Sequence, residues 1–413
     1  MTNTKKYLLI FLLTASCLCY NLPYLSATFY TQFLEAFSLS NTQEGFLMTM
    51  FSLTATPGYL FGGLLADKFS PKKLILVSQG LTAALGIAMS LLNGYTILLV
   101  CYLGFGISTT FIHWSACMKL VRAQAGENEE GKVFGIFEMC YAIVGAITSY
   151  VILAGLGHIS NFRIVTIVYA AILIVVAVLI FFVLKDVDVN EASNEFNFKM
   201  VGVAIKHPVT WLNGLIVMGL FILVTGTSYL NPYLSTVFGA TVTFGTALTI
   251  FNRTLARLVF SPIGGMLLDK WKTPKFLITL SAIMIVFSLA ITLIPQNEGG
   301  RGIAIVLAVL LILVLSASRP GLYTPIPEAK IPYEILGTSL GICSAVGYST
   351  DLWLYTLCGS WIDKLGNDGY KNIMYLYVAG LCLVIVCCIL LYRYEKKHGI
   401  IDSFKKAAAA ANA

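Results

Sequence analysis

Charge is scarce in this chain. Asp, Glu, Lys and Arg make up 11% of its 413 residues, where a soluble protein carries about 25%. So apolar a sequence cannot cover a globule with polar surface, and lipid is left as its solvent. A GxxxxGK[ST] phosphate loop is absent, so ATP does not drive the protein directly and no cofactor is implied. The ten cysteines form no CxxC pair, and no metal-ligand cluster with histidine is visible along the sequence. They read as small hydrophobes within helices, and no metal site is expected. Catalytic constellations are missing as well, which argues against an enzyme.

What the chain has instead is length of apolar run. Twelve stretches are long enough to cross a bilayer as helices: 7–27, 43–66, 73–92, 96–118, 133–156, 163–184, 209–230, 240–268, 275–294, 302–322, 335–359 and 372–393. The fold class expected is therefore an all-α membrane protein. With the N-terminus in the cytoplasm, 20 of the 27 Lys and Arg fall in inner segments and 4 in outer loops: Arg163, Arg301, Lys364 and Lys371. That bias places both termini inside. The net charge of +7 thus reflects topology, and nucleic acid is not an expected partner. The opening MTNTKKYLLIFLLTASC has the look of a signal peptide, but the orientation requires its apolar stretch as the first span. The closing AAAAANA reads as an appended scar.

The sequence also repeats itself. PYLSATF from Pro23 returns as PYLSTVF from Pro232, and GGLLADKFSPKKLI from Gly62 returns as GGMLLDKWKTPKFLI from Gly264. A weaker echo links GKVFG at Gly131 to GTSLG at Gly337. Three echoes in the same order describe two parallel halves of six spans each, residues 1–184 and 209–393. A polar cytoplasmic linker, 185–208, would join them, with a cytoplasmic tail at 394–413.

These residues carry a family resemblance. The loop from Gly63 through Asp67, Lys68, Lys72 and Lys73 resembles the signature loop of the major facilitator superfamily. Its second copy runs from Gly265 through Asp269 and Lys270 to Lys275. Both copies lack the usual glycine before the basic pair; Ser70 and Lys272 stand near its place. The stretches Arg122 to Glu138 and Ala329 to Tyr355 further resemble bacterial sugar-phosphate-permease-like carriers. The resemblance implies that the loop closes the cytoplasmic side, which gives Asp67, Lys68, Asp269 and Lys270 a gating role. It also implies that spans 1, 4, 7 and 10 line a central cavity, with span 5 beside span 8.

Polar residues inside spans are expensive, and each is a functional candidate. Arg253 and Arg257 lie four apart in the eighth span, and Arg257 is twelve residues before Asp269, about 18 Å along a helix. Candidate solute contacts are Arg253, Arg257, His113, Tyr20, Asn21, Tyr24, Tyr229, Asn231 and Arg319. Glu138 and Asp351 are the mid-span carboxyls and the candidates for proton coupling. Two arginines on one face suit an anion. The resemblance implies a basic residue in span 1 and another in span 7 where the solute is an organophosphate; these spans carry no Lys or Arg here, so a monoanion or zwitterion fits better than a phosphate ester. The expected function is secondary active transport of such a solute by alternating access, by proton symport or exchange, in a monomer of the bacterial inner membrane. A ligand-sensing receptor of the same fold, or a drug or amino-acid carrier, is the alternative.

Overall fold

The computed structural model describes residues 3–125, 130–156, 161–184 and 198–400. Most of the expected linker, the end of the tail and part of the Arg122 to Glu138 stretch lie outside the described residues. Every regular element among the described residues is helical. Eight helices are long and apolar enough to cross a membrane, from Pro71–Leu91 to Asn367–Lys397.

The other four expected spans are helical too, but shorter, less apolar or broken; two of the eight are interrupted as well, by the π segment Gly106–Trp114 and by the turns Thr227–Tyr229 and Tyr233–Val237. The first runs as Asn3–Ser16 and then tightens into a 3-10 turn, Cys17–Asn21. The second is the Asn41–Lys68 helix, which carries Pro57 within it. Val242–Phe251 passes through a π turn, Asn252–Ala256, into Arg257–Trp271. Tyr333–Tyr348 gives way to a 3-10 turn, Ser349–Leu352, before Leu354–Leu365. Lipid cannot satisfy backbone groups that such breaks release, so irregular backbone survives only where protein buries it or water reaches it. The breaks therefore mark where polar side chains are used.

Helix starts are written in the sequence. Ser40 accepts from the Gln43 amide at 3.2 Å while Gln43 Oε1 accepts from the Ser40 amide at 2.9 Å. This reciprocal cap starts the Asn41–Lys68 helix. Ser70 followed by Pro71 starts the next one in the same spirit.

The chain packs into two compact units. The first comprises Met1–Glu195, Ser228–Leu258 and Asp351–Tyr370. In it the Asn41–Lys68 helix lies against Gly106–Trp114 and Leu354–Leu365, and Pro71–Leu91 against Arg163–Val183. Backbones meet closely at Gly359, where a Cβ would strike the Asn41 carbonyl. The second unit comprises Phe196–Thr227, Val259–Thr350 and Lys371–Ala413. There Pro208–Gly226 packs on Tyr333–Tyr348, and Thr273–Leu293 on Arg301–Ser318.

Among the described residues, three non-glycines have positive φ, Ser38, Lys272 and Lys330. Lys272, just before the Thr273–Leu293 helix, has φ 64° and ψ 158°, a region that is essentially glycine's own. Lys272 stands near the place where the loop that this one resembles usually has its glycine, and it adopts a glycine-like conformation without a glycine's freedom. Such strain costs about 1–3 kcal/mol. Lys272→Gly is expected to raise the melting temperature in detergent and Lys272→Val to leave it lowered or unchanged; a lower value for the glycine variant would show that the position is unstrained.

Candidate functional site

The broken helices of the first unit bring their polar residues together. The π turn Asn252–Ala256 carries Arg253, whose guanidinium carbon sits 4.4 Å from the Tyr24 ring centroid. That is a cation–π contact. Tyr24 in turn meets Phe51 edge-on, with centroids 5.4 Å apart. One turn further on, the Arg257 guanidinium donates to Glu138 Oε2 at 2.7 Å. The sequence leaves open which arginine Glu138 meets; the structure assigns Arg257. The pair is half exposed, at 39% for the arginine side chain and 46% for the glutamate. Asp351 lies in the 3-10 turn Ser349–Leu352.

In the same unit, hydroxyls and amides are held by hydrogen bonds to backbone and to other side chains. Tyr229 donates to the Tyr355 carbonyl at 2.8 Å and packs on Tyr30. Asn231 donates to Thr246 Oγ1 at 3.3 Å, as does Gln32, while the Asn231 side-chain oxygen is buried with no hydrogen-bond partner. Asn21 donates to the Tyr169 hydroxyl at 3.4 Å. Arg253, Arg257, Glu138, Tyr24, Asp351, Asn21, Tyr229 and Asn231 thus all belong to one compact unit.

His113 and Tyr20 sit in a drier place. His113 is fully buried, with Nε2 2.9 Å from Ser16 Oγ. Tyr20 donates to the Thr109 carbonyl at 2.8 Å and presents its ring to His113. Cys17 and Cys117 join the histidine, all three ligand atoms lying within 4.8 Å of one another. The expectation that no cysteine clusters with a histidine is corrected here. His113 and Cys117 are four apart on one helical path, which the sequence does show; Cys17 arrives from another helix, which it does not.

Two carboxylates absent from the sequence-based candidates cap helices that are remote in sequence. Both Asp363 oxygens are used on the Asn41–Lys68 helix: Oδ1 accepts from the Asn41 amide at 3.1 Å and its side chain at 2.7 Å, and Oδ2 from the Thr42 amide at 2.7 Å and the Thr42 hydroxyl. These are the orphan donors of a helix start. In the second unit Glu328 Oε2 accepts from the Thr273 amide at 3.1 Å. Burial chiefly raises its carboxyl pKa, against the hydrogen bonds from Thr273 that lower it. A third overlooked carboxyl, Glu44, is fully buried in the first turn of its helix.

The model of the Major Facilitator Superfamily matches residues 9–350 of the chain. The chain belongs to that superfamily. It is 27% identical over 390 residues to the inner membrane protein YqcE of Escherichia coli (strain K12), covering 91% of each chain. It is 28% identical over 399 residues to YihN of the same organism, covering 90% of this chain and 91% of that one. Among solved structures it resembles a bacterial homolog of the human lysosomal transporter Spinster, in an inward-facing and occupied conformation, with TM-score 0.72 and 16% identity over 96% of this chain and 98% of that one. The protein is a multi-pass membrane transporter of the superfamily type and not an enzyme.

The superfamily's signature loop is placed as follows. Asp67 stands in the last turn of the Asn41–Lys68 helix, and its side chain is outside the described ones. Lys68, Asp269 and Lys270 are exposed. Arg319 opens the 3-10 turn Arg319–Leu322 of the second unit.

Asp363 yields a pH prediction. Burial alone would raise its carboxyl pKa, but hydrogen bonds from Thr42, Asn41 and Ser40 outweigh this and hold it below the usual aspartate value. The stability it contributes is present above the unfolded pKa, about 3.9, and is lost as pH falls through the lower folded value. Asp363→Asn is expected to melt lower than wild type at pH 7, with the gap closing below about pH 3.9. A gap that is constant with pH would show that the charge at this cap contributes nothing.

Proposed function

We propose that the protein is a secondary active transporter of a small monoanionic or zwitterionic organic solute, working by alternating access with proton symport or exchange. The observation that carries the proposal is the half-exposed Arg257–Glu138 ion pair beside Arg253. About 18 Å of helix separates Arg257 from Asp269, so the pair lies deep in the bilayer. Charges at that depth face lipid only at great cost; the exposure of this pair is therefore to a polar path. A guanidinium reached by water can be reached by a carboxylate or sulfonate, and its planar fork suits either.

Coupling follows from the pairing. Glu138 and an anionic solute compete for one guanidinium. When the solute takes Arg257, Glu138 loses its counter-ion and is released to accept a proton, so solute and proton become linked through a shared partner. Asp351, in the same compact unit, takes a secondary role. Asn21, Tyr24, Tyr229 and Asn231 supply neutral hydrogen-bonding contacts.

The reading extends to twelve membrane spans in two parallel six-span halves, 1–184 and 209–393, with both termini cytoplasmic and the protein monomeric. Similarity to YqcE and YihN, both named inner membrane proteins, supports the bacterial inner membrane. The loops at Asp67 and Asp269 act as cytoplasmic gates in this scheme, in the manner of the sugar-phosphate-permease-like carriers.

A panel of carboxylates, amino acids and sulfonates screened by thermal shift identifies the solute by mass action. Arg257→Ala is expected to weaken its binding about 10–100-fold, the loss of a charge-assisted contact, with Arg257→Lys recovering little. In proteoliposomes Glu138→Gln should lose accumulation driven by a proton gradient but keep exchange of labelled for unlabelled solute, and Asp351→Asn should be milder. Gradient-driven accumulation by Glu138→Gln would remove Glu138 from the coupling scheme, and wild-type binding by Arg257→Ala would refute the anion site.

A further inference from the structure

We propose that Cys17, His113 and Cys117 form a binding site for a soft divalent metal ion of the zinc class. The proposal does not depend on the transport reading. The three residues are 1%, 0% and 0% exposed, and their ligand atoms lie within 4.8 Å of one another. The two sulfurs are 3.7 Å apart. Two metal–sulfur bonds of about 2.3 Å at a tetrahedral angle hold sulfurs about 3.8 Å apart, so the thiols already stand at the separation a zinc ion requires.

The histidine is prepared in the same sense. Ser16 Oγ donates to the Leu13 carbonyl at 2.6 Å, which spends its one proton. Its 2.9 Å contact with His113 Nε2 must then be a hydrogen bond accepted from Nε2–H. That tautomer leaves the Nδ1 lone pair open, and Nδ1 is buried with no hydrogen-bond partner. A ligating histidine ordinarily has its other ring nitrogen fixed by a polar neighbour; with Ser16 on Nε2, the nitrogen left for the metal is Nδ1.

Charge decides which ion fits. Binding displaces one proton from each thiol, so a divalent ion with two thiolates and a neutral imidazole sums to zero. Nothing is left uncompensated in the apolar interior. A monovalent soft ion bound by both thiolates would leave one negative charge there, and with one thiol kept protonated it would use only one of the two sulfurs as thiolate. Sulfur and imidazole donors together select zinc-like ions over magnesium or calcium.

The local fold supplies the geometry. The π segment Gly106–Trp114 ends where Ser115–Arg122 begins, which brings His113 and Cys117 onto one path. Cys17 opens the 3-10 turn Cys17–Asn21. An ion here would tie that turn, and with it Tyr20 and Asn21, to the helix that carries His113. Metal occupancy thereby sets the rigidity of a segment next to Tyr24.

The test uses the full chain purified in detergent under reducing conditions. Zinc is added, unbound metal is removed, and bound metal is counted by elemental mass spectrometry. One zinc per chain is expected, with a melting temperature raised by about 3 °C or more at saturation. Cadmium in its place should give a thiolate-to-metal charge-transfer band. Cys17→Ser and Cys117→Ser should each lose the metal and the shift, while Cys101→Ser, at a buried cysteine elsewhere, keeps both. Should a serine variant fail to fold, the cadmium band of the wild type and its loss in His113→Gln decide the matter. Failure of the wild type to retain zinc or cadmium while its thiols remain reduced would overturn the proposal. So would unchanged metal content in the Cys17→Ser/Cys117→Ser double variant, or a Cys17–Cys117 disulfide under the same conditions.

Discussion

A charge set inside an apolar span must be answered by a partner, and the rest of this structure is arranged around that constraint. Lipid offers nothing to a guanidinium, so Arg253 rests on the Tyr24 ring and Arg257 on Glu138. Each answer comes from a different helix, and each lies within the unit that also holds Asp351. The helices that carry these groups are the broken ones. A π turn at Asn252–Ala256 and 3-10 turns at Cys17–Asn21 and Ser349–Leu352 are tolerated because polar side chains and buried backbone surround them. In the proposed mechanism the half-exposed Glu138 is a partner that the solute can replace, which would turn a requirement of stability into a means of transport.

The same logic governs helix ends. A helix start presents amide groups with no intrahelical acceptor. Asp363 satisfies them for Asn41–Lys68, and Glu328 does so for Thr273–Leu293. Both carboxylates come from helices far away in sequence, so each cap fastens two elements at once. Lys272 shows the opposite case, where the backbone bends into a glycine-only region without a glycine to relieve it.

Much of this is legible in the sequence because it is periodic or local. Apolar runs give the helices, and the paired loops at Gly62 and Gly264 lead to the superfamily. Charge scarcity picks out Arg253, Arg257 and Glu138, since in so apolar a chain few candidates exist. What sequence spacing cannot supply is long-range pairing. It leaves Glu138 between two arginines, misses Asp363 as a cap 322 residues from Asn41, and reads Cys17 and Cys117 as packing residues. The third and ninth expected spans emerge as plain long helices, whereas the first, seventh, eighth and eleventh are interrupted by 3-10 or π turns, because polar residues there compete with the regular helix for backbone groups.

The central claim is that Arg257 serves two partners, Glu138 and the solute, and one variant separates the roles. In Glu138→Arg/Arg257→Glu the ion pair is kept with its ends exchanged. The account predicts that this double variant melts close to wild type, while each single change melts lower, and that it neither binds nor transports the solute, because the guanidinium now approaches from the wrong helix. Wild-type transport by the exchanged pair would contradict the account and leave the ion pair a structural strut alone.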